Sequence, residues 1–473
     1  MDMLMIQLEK DTSIPLYEQL YEKIKKGIID GSISVRTKLP SKRKLSEFLS
    51  ISQTTVELAY AQLLAEGYII SKPRVGFFVE ALEELAYVEK AVAHPTLKTS
   101  ANPEVYIDFN PGSIDTKAFP FAAWRKYAKD AIDLHQKELL LLGSPQGELE
   151  LREQIASYLY QSRGVLCSPE QIVIGSGTEQ LLPMIMKLLG EKNHYAIENP
   201  GYTLTHYIFD QSYQQIIPIN VDQDGMKIQQ LEQTDANVAY ITPSHQFPTG
   251  AVLSASRRFQ LLNWAAQDKK RFIIEDDYDS EFRYIGKPIA SLQGMDRLNK
   301  VIYLSTFSKS LMPSLRIAYF VLPRELLPIY YKMFSYYTST VPRFEQYILA
   351  QFMKEGHFSK HLNRMRKIYR KKLEKLTLSL TPYGPSVSIS GEQAGMHVVL
   401  TVNHKLNAQT LSERALQKGI RIIPITNYMI TPTIEERDNQ FLLGFGGLDE
   451  DQIPYAIEQL MDCWEIQKQV KRD

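Results

Sequence analysis

The sequence has only two cysteines, Cys167 and Cys463, far apart in a chain of 473 residues. That excludes a disulfide framework and a CxxC metal site, and it fits a reducing compartment. Net charge is lacking too: Lys+Arg and Asp+Glu both total 54. No global field draws the chain to nucleic acid or membrane, so any such site must be local. No apolar run approaches the roughly 20 residues that span a bilayer. The opening residues, Met-Asp-Met-Leu-Met-Ile-Gln-Leu-Glu-Lys-Asp, carry acids where a signal peptide needs a basic start and a long apolar core. The expectation is a cytoplasmic protein with no membrane partner. Internal repeats and low-complexity tracts are also missing. What is present is a globular composition, 44% hydrophobic and 23% charged, in a chain long enough for two or three folding units.

Residues 12–80 read as one such unit. Leu16, Leu20, Ile24 and Ile28 recur at helical spacing from about Pro15. Ser41 is predicted to cap a second helix containing Leu45, Phe48 and Leu49, and Ser52 a third. The third helix carries Val56, Ala59, Tyr60, Leu63 and Leu64 on one face and ends at Gly67. Two short strands, Tyr68-Ile69-Ile70 and Gly76-Phe77-Phe78-Val79, flank Ser71-Lys72-Pro73-Arg74-Val75 and form a β-wing. A helix that reads DNA needs a short polar N-terminus and basic or hydroxylated neighbours for phosphates. Ser41, Lys42, Arg43 and Lys44, then Ser52, Gln53, Thr54 and Thr55, supply both. Arg36, Lys38, Lys42, Arg43 and Lys44 fall between Asp30 and Glu47 with no acid among them, and Lys72 and Arg74 sit at the wing tip. Acids and bases nearly balance over the whole unit, so a three-helix protein-interaction domain stays open beside DNA binding. Residues 12–80 resemble the GntR-type winged helix through Pro40-Ser41-Lys42-Arg43-Lys44-Leu45, Thr55-Val56, Ala59-Tyr60, Leu63, Glu66-Gly67 and Gly76. The resemblance implies binding to double-stranded DNA. Gln53 stands where that family commonly has Arg, so guanine readout is not expected there, although Gln can pair with adenine.

Residues 81–107, with Pro95 and Pro103, read as an extended linker. Beyond them short apolar runs alternate with helical stretches: Ile172-Val173-Ile174, Tyr195-Ala196-Ile197, Val238 to Ile241, Phe272-Ile273-Ile274 and Val301 to Leu304. This is an α/β pattern with a mostly parallel sheet, in which ligands gather at the carboxyl ends of strands. Residues 325–380 are helical and charged, 395–473 read as a smaller α+β unit, and a small C-terminal subdomain is expected over about 325–473.

The strand-end loops carry the chemistry. Residues two apart on a strand share a face, so Asp276 and Tyr278 can both point to one ligand. Lys309 lies just past the next strand, bracketed by Ser308 and Arg316. Ser176-Gly177-Thr178 is a glycine-rich loop opening a helix, an anion site by its N–H groups and dipole. Tyr202 follows Asn199-Pro200-Gly201. Each piece alone has an ordinary reading: a solvated lysine, a strand-end acidic run or a Mg²⁺ site, a common Gly loop. Their joint order meets the needs of pyridoxal 5'-phosphate (PLP): a Schiff-base lysine, a carboxylate for the ring nitrogen, a donor for the phenolic oxygen, a phosphate cradle and a stacking aromatic.

Residues 108–473 resemble fold-type I aminotransferases, most specifically in Pro243 to Gly250, Ile274 to Phe282 and Thr306 to Leu311. With the winged-helix head, the whole chain resembles the MocR family of transcription regulators, in particular its GabR-like branch. The resemblance implies a Schiff base at Lys309, Asp276 on the pyridine nitrogen, Tyr278 on the phenolic oxygen, and Arg316 with Ser308 on phosphate. It also implies a head-to-tail homodimer that senses an amino compound or PLP. Two departures favour a sensor over a working transaminase. Phe247 stands where aminotransferases usually have Asn, and Phe445 follows Leu442-Leu443-Gly444 with no Arg to clamp a carboxylate, a role left open to Arg283 or Arg421. Leu204 and Asn427 occupy positions where GABA-responsive members carry Arg, so GABA is not the expected effector.

Overall fold

The computed structural model describes residues 6–9, 12–81, 105–284, 286, 289–431 and 439–469. Most of the expected linker, residues 82–104, therefore lies outside the described residues. The chain divides into two compact units, 1–100 and 101–473.

The first unit is three helices and a hairpin. Leu16–Ile29 buries Leu20, Ile24 and Ile28, the spacing of one helical face. Lys42–Leu49 begins at Ser41, whose Oγ accepts from the Lys44 N–H at 3.3 Å. Gln53–Ala65 begins at Ser52, whose Oγ accepts from the Thr55 N–H at 3.0 Å. Gly67, at φ +77°, lets the chain turn away from that helix. Strands Ile69–Lys72 and Gly76–Val79 pair antiparallel from Ile69↔Val79 to Lys72↔Gly76. Leu20, Ile24, Leu45, Val56, Tyr60 and Leu63 have no exposed surface and form the core; each such side chain contributes about 2 kcal/mol by leaving water. Phe48 lies on the second helix, as expected, and is 46% exposed. Eight residues give that helix barely two turns, and Leu45 already fills the place beneath it.

The second unit is built on an eight-stranded sheet. Its order is Ile172–Gly175, Ala318–Val321, Val301–Thr306, Phe272–Asp277, Val238–Ile241, His194–Asn199, Gln215–Asp222, Gly225–Met226. Neighbours from Val301–Thr306 through Gln215–Asp222 are parallel, and Ala318–Val321 runs against both strands beside it. Both faces are covered: Ile274 packs in a cluster with Leu181 and Ile185, Ile273 in another with Leu261 and Trp264. Burial on both sides explains why these strands read as unbroken apolar runs. Ile107–Asp108 pairs with Ile420–Arg421, so the last residue of the expected linker is already in a strand. After the 24-residue helix His357–Leu380, a four-stranded antiparallel sheet runs Val387–Ser390, His397–Val402, Gln440–Gly444, Ile423–Pro424. No described helix is long and apolar enough to cross a membrane.

Candidate functional site

The acidic segment Glu275-Asp276-Asp277, read from sequence as following the strand, is inside it: the strand spans Phe272–Asp277 and all three carboxylates are buried. Alternation sends them to opposite faces. Asp277 pairs with Arg163 at 2.8 Å and accepts from Tyr303 Oη, while Glu275 accepts the Leu292 and Gln293 N–H groups at 2.8 Å. Asp276 points the other way and accepts from Tyr240 Oη. Burial, with Asp277 and Asp279 nearby, pushes its carboxyl up to about 7 although Tyr240 pulls it down. None of the groups that shift it is a cation.

Two residues beyond Asp276, Tyr278 lines a cavity of about 210 Å³ together with Lys309, Asp279, Tyr202, Phe247 and His397. Lys309 lies three residues past the strand Val301–Thr306, and its ammonium donates to the Pro111 carbonyl. Burial lowers its pKa to about 8 against the opposing pull of Asp279. That raises the fraction of free amine, the nucleophilic form, near neutral pH. Tyr202 meets Phe247 edge-on at 4.7 Å, and Phe247 meets Tyr428 at 5.0 Å. The phenyl ring of Phe247 thus stands in the cavity where an amide was the family expectation.

Ser176, Gly177 and Thr178 lie at the start of the helix Thr178–Leu189. Gly177 has φ +146°, and a Cβ there would lie 2.3 Å from Arg316 Nη2, so only glycine lets the guanidinium approach. Arg316 pairs with Glu179 at 2.9 Å, both about half exposed. Ser308 Oγ is 2.9 Å from Thr306 Oγ1. The Ser176 N–H already donates to Gln180 Oε1 at 2.9 Å, which leaves the next residues to face an anion.

Three residues that the motif reading gave no role join the site. His245 Nδ1 lies 2.9 Å from Asp279 Oδ2 and 3.1 Å from Tyr278 Oη. The His397 ring stands 4.6 Å from that of His245. Position within Pro243-Ser244-His245-Gln246 was the only signal for His245. Asp279 sat beside Tyr278 in sequence, and His397 carried no signal. Among the alternative clamps, Arg421 pairs with Asp108 at 3.0 Å, and neither it nor Arg283 lines the cavity. Leu204 does line it, Asn427 is exposed and Phe445 is fully buried.

On the first unit, Ser41, Arg43, Lys44, Ser52, Gln53, Thr54, Lys72 and Arg74 are exposed, and Lys42 and Thr55 are partly so. Two of the cations have acidic partners: Lys42 pairs with Glu57 and Arg43 with Glu47 at 2.9 Å. Lys72 Nζ rests 4.9 Å from the centre of the Phe78 ring, and Arg74 takes φ +62° at the wing tip.

Residues 105–460 match the family Aminotransferase class I and II, and residues 16–79 match Bacterial regulatory proteins, gntR family. The chain is 44% identical over 465 residues to the HTH-type transcriptional regulator YdeL of Bacillus subtilis (strain 168), covering 97% of this chain and 99% of that one. It is 30% identical over 477 residues to the probable rhizopine catabolism regulatory protein MocR of Rhizobium meliloti, covering 97% and 96%. Among solved structures, an archaeal alanine:glyoxylate aminotransferase superposes with a TM-score of 0.69 at 26% identity, covering 76% of this chain and 90% of that one. Pyrococcus horikoshii kynurenine aminotransferase, in complex with PMP, superposes at 0.66 and 26% identity, covering 77% and 91%. With a gntR-family head, an aminotransferase-like domain and full-length regulator relatives, the chain belongs to the MocR-type HTH transcription regulators.

Proposed function

We propose that this regulator is cytoplasmic, holds PLP in its aminotransferase-like domain, and changes its grip on DNA when an amino compound or PLP binds there. The observation that carries the reading is a half-buried lysine, Lys309, sharing one cavity with Tyr278, while Asp276 faces the same side of the neighbouring strand without a cation. The residues present fit the cofactor. Asp276 offers a buried carboxylate to a protonated ring nitrogen, Tyr278 a phenol to the ring oxygen, and Tyr202 an aromatic face. Ser176, Gly177, Thr178, Ser308 and Arg316 would hold the phosphate. The Arg316–Glu179 pair is half exposed and therefore weak enough for a phosphate to displace. When bound, PLP supplies an aldehyde that condenses with amines and a ring that withdraws electrons. The chain's own residues then hold, orient and bury that group.

The head would meet DNA through Ser52, Gln53, Thr54 and Thr55 in the major groove, with Ser41, Lys42, Arg43, Lys44, Lys72 and Arg74 on phosphates. Ser41 and Ser52 already use their side chains as helix caps, so their contribution is to set the helix N-termini. The working unit is a homodimer, each head against the partner's large domain. An effector acts only by binding two conformations with different affinity. Among the described residues that line the cavity there is no Arg, which supports sensing over turnover.

The test is a visible absorbance titration of the full chain with PLP, then with amines and amino acids. A lysine-linked cofactor band that appears in the native protein and is lost in Lys309→Ala supports the reading. Equal bands in both would overturn it. Sustained conversion of an amino acid and an oxo acid, well above free PLP, would make the protein a working transaminase instead.

A further inference from the structure

We infer that His245 and Asp279 form a positioning pair, which turns the hydroxyl proton of Tyr278 into the Lys309 cavity. The inference rests on the cofactor reading above for what that proton meets, and on the pair's own geometry for its direction.

Tyr278, Asp279 and Lys309 line one cavity. His245 stands outside that lining, with no exposed side-chain surface, and the Asp279 side chain is only 2% exposed. His245 Nδ1 lies 2.9 Å from Asp279 Oδ2 and 3.1 Å from Tyr278 Oη. An imidazole nitrogen has one in-plane position, filled by a proton or by a lone pair. A bare Nδ1 would set its lone pair against those of the carboxylate. A proton there makes a charge-assisted bond instead. Asp279 therefore selects the Nδ1–H form of His245. The Tyr278 oxygen lies beside the same N–H, so it accepts from His245 and cannot donate to it. Among the described residues no other group hydrogen-bonds to Tyr278 Oη. Burial, then Asp279, Tyr202, Asp276 and Glu198, hold the Tyr278 phenol well above its usual range, so it keeps its proton. The open direction for that proton is the cavity.

The backbone is shaped around the pair. A Cβ at Gly395, which has φ +76°, would lie 2.0 Å from His245 Cε1 and 2.7 Å from Asp279 Oδ2. One at Gly250 would lie 3.3 Å from His245 Nε2. Two glycines on separate segments thus leave room for an imidazole held in one orientation. A proton aimed at the cofactor's phenolic oxygen stabilises that oxygen as an anion. The lysine-linked cofactor band should then titrate at lower pH than it would without the pair. Lys309 and His397, which also line the cavity, are left in place by the variants below.

The experiment has two arms on the full chain. Nitrogen NMR of cofactor-free protein with ¹⁵N-labelled histidine, the signal identified by its loss in His245→Asn, should find the proton on Nδ1. A bare Nδ1 would overturn the inference. With PLP added, the visible band is titrated with pH. His245→Leu should raise its midpoint by about one pH unit, the worth of one charge-assisted hydrogen bond. His245→Asn, which restores an N–H at the place of Nδ1, should keep the native midpoint. In a Tyr278→Phe background, His245→Leu should add no further shift, because the pair acts only through the hydroxyl. An equal shift in both backgrounds, the same shift from Asn as from Leu, or no shift from Leu would each overturn the inference. If His245→Leu does not fold, Asp279→Ala replaces it. Its lost charge moves the band alike in both backgrounds, and only their difference is read. Absence of a band in the native protein sinks the cofactor reading alone, and the NMR arm still decides the pair.

Discussion

The two units handle polar groups in opposite ways. The head keeps its charged residues on the surface, where Arg43 and Glu47 pair with side chains 82% and 63% exposed. The large unit buries several of its charges: Arg163 and Asp277 pair with 5% and 1% exposed, on a strand that carries three successive carboxylates into the interior. Surface charges interact weakly through water and are free to meet a partner such as DNA. Buried charges need matched partners, and a polar group left unmatched there points to a ligand.

The largest effect should come from the buried pair. Asp277→Ala strands the Arg163 guanidinium without its carboxylate and should cost the large unit about 3–5 kcal/mol. Differential scanning calorimetry should show that unit's transition falling while the head's stays put. A common shift of both transitions would break the comparison.

The pH response should be next. Asp276 has its pKa raised by burial to about 7, above the roughly 3.9 of an unfolded Asp. The folded state therefore holds the proton longer. Below about 4 both states are protonated and nothing is lost. As pH rises from about 4 through about 7, stability falls. Cofactor-free protein should lose urea resistance over that window, and Asp276→Asn should flatten the slope. Added PLP should flatten it as well, by giving the carboxylate a cationic partner.

Smaller effects belong to the head. Ser52→Ala removes the cap on the third helix and should cost the head about 1 kcal/mol, read by its thermal transition. Glu47→Ala should change head stability by less than about 0.5 kcal/mol, since its partner is an exposed i,i+4 arginine. Freed of that partner, Arg43 should bind DNA phosphate slightly better at low salt, visible in fluorescence anisotropy. A stability loss above 1 kcal/mol from Glu47→Ala would show that the head's surface pairs behave like buried ones.

The same contrast explains what could be read in advance. The head was legible because its rules are local: Ser41 and Ser52 cap helices three residues from the N–H groups they satisfy, and the apolar period of the third helix sits on one face. In the large unit, strand alternation correctly set Asp276 and Tyr278 apart from Glu275 and Asp277. What it missed came from far along the chain. Arg163, Tyr240 and Tyr303 neutralise or hydrogen-bond the acidic strand, and nothing in their own surroundings marks them for it.

By itself the sequence determined the two-unit plan, the winged-helix head, the α/β class and the order of the strand-end motifs. These depend on periodicity, capping and spacing within a few residues. Only the tertiary structure decided that Phe247 lines the cavity beside Lys309, that Arg316 meets Glu179, and that His245 pairs with Asp279. Those outcomes turn on which distant side chains share a low-dielectric interior. Burial strengthens every match and every mismatch there, and chain order alone does not specify the neighbours.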